Sequence, residues 1–235
     1  MYLRDISLGA SNLARLPRGR SIRQFNVSAH HVQEIFLVFM PRRYTLDGAG
    51  QLNIDLGPRG DEPKYLRLGD VSVFHYEDFG FGEYFSAQPV DRSEMILTAL
   101  ERSALSVAKR FSADPAPIRA AAKKTRAHGF ELKYYVDHLS KLTRSRKVRL
   151  NVFRHILQSG ESWGIDVCDR DGRVHKKLPL ARKVGYVEAS TKYHRSALTP
   201  AGFRIVSRSG ARVYEIDTEK LSGLERLVSH RPADS

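Results

Sequence analysis

The apolar residues of this chain fall into short alternating runs at both ends, with a longer helical spacing between them. Residues 2–8, YLRDISL, alternate as in a strand. Residues 33–40, QEIFLVFM, are dense in the aromatic and branched side chains that strands favour. Between them NLARLPRGRSIR is interrupted by Pro17 and Gly19 and reads as a loop or a broken helix. The turn signal DGAGQ followed by QLNIDL makes a hairpin with the preceding run. YLRLGDVSVFHY at 65–76 gives a strand pair, or one strand bulged at Gly69, and GFGE at 80–83 reads as a flexible loop.

The spacing changes at Asp91, which reads as an N-cap with Glu94 three residues on. Met95, Leu97, Leu100, Leu105, Val107 and Ala108 then fit an amphipathic helix of about 20 residues. A shorter helix follows, with Pro115 and Pro117 in its first turn, Ala120–Ala122 propagating it and Gly129 stopping it. Period-two alternation returns with Val148, Leu150 and Val152 on one side of a strand, and Arg149 and Asn151 on the other. SWGIDVC, the turn DRDGR and VHKKLPL form a hairpin. GYVEAS is a further strand candidate, ALTPAGFRIVSR with RSGAR and VYEID a last hairpin, and TEKLSGLERLVSH a terminal helix. Strands, two helices, then strands again indicate an α+β fold rather than a doubly wound sheet. The division expected is a β-rich domain over 1–90 and a basic α+β domain over 91–235. The second would hold helices in 91–128, strands in 130–216 and a terminal helix at 218–228.

With 235 residues and 41% hydrophobic composition the chain can bury a core, as one large or two small domains. It has no run of about 18 apolar residues to span a membrane, and its first residues lack the apolar core of a signal peptide. Its single cysteine, Cys168, rules out an internal disulfide and Cys-cluster metal sites, which suits a reducing cytoplasm.

Charge changes the picture more. Residues 1–100 carry 11 Lys+Arg against 12 Asp+Glu, whereas residues 101–235 carry 28 against 14. Such asymmetry points to a polyanionic partner for the second half. The excess concentrates between Ser112 and His155. There Arg119, Lys123, Lys124, Arg126, Lys133, Lys141, Arg144, Arg146, Lys147, Arg149 and Arg154 face only Asp114, Glu131 and Asp137. Arg102, Lys109 and Arg110 extend it toward the end of the preceding helix. The expected phosphate contacts are Arg102, Lys109, Arg110, Arg119, Lys123, Lys124, Arg126, Arg144, Arg146, Lys147 and Arg149.

Motifs for metal or nucleotide chemistry are missing. HHVQE, with His30, His31 and Glu34, lacks a further fixed ligand, and no HExxH, CxxC or GxxxxGK[ST] occurs. No cofactor is implied. What remains is acid–base chemistry on a polyanion. RNA can be cut without metal when a base takes the 2′-OH proton and cations hold the developing charge. Candidate bases are His30 and His31 beside the Arg15–Arg23 cluster, and His155 or His194 in the basic half. Ser145 and Tyr193 are candidate hydroxyl partners, and Arg23 a candidate phosphate ligand. His75, between Phe74 and Tyr76, reads as a core-edge residue.

The stretch TRSRKVRLNVFRHILQ resembles the serine loop and following strand of CRISPR repeat-processing endoribonucleases, closest to the type I-F and type IV variants. IRAAAKKTRAH is similar to their Arg-rich helix, YLRDISL to their first strand and ALTPAGFRIVSR to their glycine-containing C-terminal segment. The resemblance covers about a third of the chain. It implies a ferredoxin-like, RRM-like N-terminal domain and a basic helix gripping an RNA stem-loop. It also implies metal-independent cleavage at the stem base, with the product kept in a ribonucleoprotein complex alongside other subunits. By position it matches His30 or His31 to the general base, Ser145 to the loop serine, and Tyr193 or His194 to a later active-site residue. NLARLPRGRSIR departs from the family's clean first helix. The alternatives are a non-catalytic RNA- or DNA-binding subunit, and an immunity- or antitoxin-like protein for an acidic partner.

Overall fold

The computed structural model describes residues 1–180 and 192–229, and these form two compact units. The first comprises Met1–Leu132 with Ile156–Gln158; the second comprises Lys133–His155 and the chain from Ser159 onward. Among the described residues there are five helices and three sheets, with a strand–helix–strand start and a β-rich C-terminal part.

The first unit is a four-stranded sheet with its helices. β1 (Asp5–Ala10) leads into α1 (Ile22–Phe39), followed by β2 (Gln51–Leu56), β3 (Tyr65–Leu68), β4 (Val71–Tyr76), α2 (Phe81–Ser86), α3 (Pro89–Arg110) and α4 (Ala116–Ala127). The order is β1-β2-β4-β3, with β1, β2 and β4 parallel and β3 antiparallel to β4. A helical crossover returns the chain in its original direction, so β1-α1-β2 is a parallel unit. The QEIFLVFM run is therefore the C-terminal half of α1, and β2 pairs with β1 rather than closing a hairpin. Phe25, Ala29, Val32 and Phe36 recur at helical spacing and are fully buried, and Ser21 with Gln24 forms a capping box that starts the helix. GFGE belongs to α2, which seats Phe81 and Tyr84 edge-on to Phe25, with ring centroids 5.2 Å apart in both pairs.

Two expectations change here. The ferredoxin-like arrangement has a βαβ unit split by an intervening strand, whereas β1 and β2 are direct neighbours, Ile6 opposite Leu52. The boundary at residue 90 is also displaced. Ile96, Leu100 and Val107 of α3, and Ile118 and Ala121 of α4, are buried in one core with Leu8 and Ile54. α3 packs on β4 and α1, and α4 packs on α1 and α3, so both helices belong with residues 1–90.

The second unit contains β5 (Leu132–Tyr135), β6 (Lys141–Leu142), β7 (Arg149–Leu157), β8 (Gly160–Cys168) and β9 (Val174–Pro179). β10 (Arg195–Thr199), β11 (Gly202–Val206), β12 (Arg212–Asp217) and α5 (Thr218–Ser229) follow. β5-β7-β8-β9 form one sheet with β6 added on β7, and β10-β11-β12 an antiparallel meander. Val148, Leu150 and Val152 are buried with Ile165, Val167, Phe203, Ile205 and Leu224, as alternation predicts. The hairpins β8–β9 and β10–β11–β12 and the terminal helix match the reading of the sequence. The GYVEAS strand lies outside the described residues.

Candidate nucleic-acid interface

The five residues expected to cut RNA are divided between the two units. Arg23, His30 and His31 belong to the first unit, Ser145 and Tyr193 to the second. Arg23 is exposed in the first turn of α1. His30 approaches Glu34 at 3.7 Å, one helical turn away. His31 faces the core, 1% exposed, with Nε2 3.0 Å from the Ser93 hydroxyl of α3. Burial, with a smaller push from His30, pulls its pKa down to about 4. A histidine so buried is neutral near pH 7 and cannot reach a phosphate, so it is a core residue. Tyr193 is likewise buried, its ring 4.8 Å from that of Trp163, and desolvation with the nearby Glu161 raises its pKa. Ser145 is exposed and donates to the Glu225 carboxylate at 2.6 Å. The HHVQE cluster gathers no ligand set, because His31 turns inward; among the described residues no group of three or more such side chains is arranged for a metal.

The helical cations divide by partner. Arg126 clamps two carboxylates of α3, Glu94 at 2.7 Å and Glu101 at 2.9 Å, which raise its pKa. It ties the two helices together. Arg110 lies 4.8 Å from the Tyr65 ring centroid, Lys124 is 5.8 Å from that of Phe39, and Arg102 donates to the Tyr76 hydroxyl at 3.3 Å. Arg119 and Lys123 stand exposed one turn apart on α4, and Lys109 is exposed on α3.

The second unit holds the more complete site. On β7 the side chains opposite the core are Arg149, Asn151 and Phe153. β5 adds Lys133 and Tyr135, and β8 adds Asp166. Lys177 of β9, directly opposite Asp166 in antiparallel register, shares its side of the sheet. The Lys133 ammonium donates to Asp166 at 2.6 Å and lies 4.1 Å from the Phe153 ring centroid. Tyr135 donates to the same carboxylate at 3.0 Å. Burial first, then this bond, pushes the phenol up to about 12, so it stays a donor across the physiological range. Arg149 donates to the Asn151 side-chain oxygen at 2.8 Å, and Asn151 to the Cys168 sulfur at 3.4 Å. Phe153 lies over Gly164, where a Cβ would overlap its ring. Asp166 is fully buried while Tyr135 is 43% exposed. The carboxylate is thus an internal anchor beneath a cationic, aromatic surface. Arg144, Arg146 and Lys147, all exposed, lie in the loop that leads into β7.

Reading the cations alone missed Tyr135, Phe153, Asp166 and Lys177. The signals were present: Phe153 shares the alternation of Arg149 and Asn151, and an aspartate inside the apolar run WGIDVC needs a cationic partner. No helix among the described residues is long and apolar enough to cross a membrane. Compared with protein-family models, curated proteins and solved structures, the chain matches none.

Proposed function

We propose that this protein binds RNA, laying a single-stranded segment across the open face of the β5–β9 sheet. The observation that carries this reading is the grouping of Lys133, Arg149 and Lys177 with Tyr135 and Phe153 on one sheet face. Single-stranded nucleic acid is held by that combination of phosphate-binding cations and base-stacking rings. Arg119 and Lys123, exposed on α4 of the first unit, are further candidate phosphate contacts. Of the two non-catalytic alternatives, an acidic protein partner gives no role to stacked rings. Anisotropy titration of a labelled RNA stem-loop tests the proposal. Binding should weaken steeply with salt and by about ten-fold on Phe153→Ala; salt-independent or absent binding overturns it.

Cleavage, as in the CRISPR repeat-processing enzymes the sequence resembles, is a second reading supported only by Ser145, whose hydroxyl is polarised by Glu225. His30, Arg23 and the exposed His194 are the remaining accessible candidates, with His155 half-buried. Incubating the stem-loop in EDTA separates the readings: a 2′,3′-cyclic phosphate end supports cleavage, and intact RNA supports a binding subunit of a larger ribonucleoprotein.

A further inference from the structure

The first unit carries a cationic cluster that the reading above leaves without a role. In the loop between β1 and α1, Arg15, Arg18 and Arg20 are exposed, and Arg23, also exposed, follows in the first turn of α1. Among the described residues none of the four has a carboxylate partner, and the first turn of α1 holds no acidic residue. Stability does not account for them. Like charges this close in the chain repel one another, and a cation in a helix's first turn opposes its dipole.

The loop has a defined backbone. Ser11 donates its hydroxyl to the Pro58 carbonyl at 2.7 Å, and the Arg20 N–H closes a turn onto the Pro17 carbonyl at 3.0 Å. Gly19, at φ +78°, supplies the left-handed residue of that turn. The capping box of Ser21 and Gln24 then fixes where α1 begins. Arg18 thus stands at the corner of a closed turn, with Arg15 and Arg20 on its two arms. Arg20 lies 5.3 Å from the Phe85 ring centroid, and Phe85, Phe79, Phe81 and Tyr84 are all buried. The cluster therefore offers cations and no open ring.

We infer that this loop binds the phosphate backbone of a nucleic-acid double helix. A single strand is held largely by rings that stack on its bases. A duplex hides its bases and presents phosphates, which exposed cations neutralise. A membrane surface asks for an apolar side chain to insert, but the corner of the turn is Arg18–Gly19, and the exposed Leu13 lies back against Gly60. The loop is a second surface, separate from the sheet face of the RNA-binding reading, and it is tested separately.

The test is anisotropy titration of the full chain with a labelled blunt-ended duplex of about 12 base pairs, as RNA and as DNA, beside labelled single-stranded U8. Arg15→Gln with Arg18→Gln should weaken duplex binding at least about ten-fold and lower its salt slope by about two. The same variant breaks no ion pair among the described residues, and should keep the parent's melting temperature and U8 affinity. Arg15→Lys with Arg18→Lys keeps both charges and should bind duplex within about three-fold of the parent. Phe153→Ala should weaken U8 alone. A loss confined to one duplex keeps the inference and names that duplex as the ligand. If neither duplex binds, or the Gln variant binds both as the parent does, the inference falls, whatever U8 does. A loss of co-sedimentation with phosphatidylserine vesicles in that variant would then assign the loop to a membrane surface. If the duplexes bind through Arg15 and Arg18 while U8 does not bind, the sheet-face reading falls and this one stands.

Discussion

Lys133 holds its ammonium 4.1 Å from the centre of the Phe153 ring, on the side of the β5–β9 sheet turned away from the core. The same nitrogen neutralises Asp166, which is buried and has one carboxylate oxygen with no partner among the described residues. The two neighbours therefore separate experimentally. Lys133→Met leaves a buried carboxylate with only the Tyr135 hydroxyl, and should cost the second unit about 2 kcal/mol, read by urea denaturation. That figure is discounted because the Lys133 side chain is 35% exposed. Phe153→Ala should leave the ion pair in place and lower RNA affinity about ten-fold with an unchanged salt slope.

On α4, exposed and committed cations should behave differently. Arg119→Glu with Lys123→Glu breaks no ion pair among the described residues and should reduce the dependence of log affinity on log salt by about two while leaving the melting temperature unchanged. Arg126→Glu instead sets a third carboxylate beside Glu94 and Glu101. It should destabilise the first unit by about 1 kcal/mol, modest because the pair is partly solvated. Salt-dependent binding and thermal melts of the two variants check the distinction.

His31 predicts a pH dependence of stability. Its folded value, about 4, lies below its unfolded value of 6.5, so the folded state binds fewer protons. Its contribution is fully present above about pH 6.5 and is lost as pH falls toward 4, by roughly 3 kcal/mol in all. Asp5 and Asp55, whose carboxyl pKa values burial raises, act in the opposite sense. The informative quantity is thus the difference between the parent and His31→Gln, measured by denaturant unfolding at pH 7 and pH 4. The parent should lose more stability than the variant.

Gly202 opens β11 at φ +127°, where a Cβ would run into the Ile216 carbonyl of β12. Neither strand can move without breaking the meander. Gly202→Ala should cost about 3 kcal/mol and lower the melting temperature by about 10 °C. A melting curve unchanged from the parent would contradict this geometry.

What the sequence showed depended on how local the determining contacts are. The hairpins of the second unit are joined by short turns and were legible as such, and the alternation of β7 named Val148, Leu150 and Val152 as its buried side. The strand resemblance of QEIFLVFM was misleading because a helix buried on a wide face is as rich in branched and aromatic residues as a strand. The helical recurrence of Phe25, Ala29, Val32 and Phe36, and the cap at Ser21, carried the right answer across a longer window. The parallel pairing of β1 with β2, and the inclusion of α3 and α4 in the same core, are set by tertiary packing. No short segment encodes them. The candidate site was half visible. Cations announce themselves in a sequence, but whether a given one meets solvent, a ring or a carboxylate does not, as Arg126 and Arg119 show.

Gly164 touches no ligand, carries no charge and would be passed over in any search for functional side chains. Its contribution is an omission: the hydrogen in place of a methyl leaves a recess in the sheet into which the Phe153 ring settles. A single alanine there would lift the ring, spoil its approach to Lys133 and roughen the surface proposed to receive a base. The flatness of the proposed landing surface is therefore written at a position that contributes no chemistry. Drift at that one codon would blunt recognition while every charged and aromatic residue of the interface stayed in place.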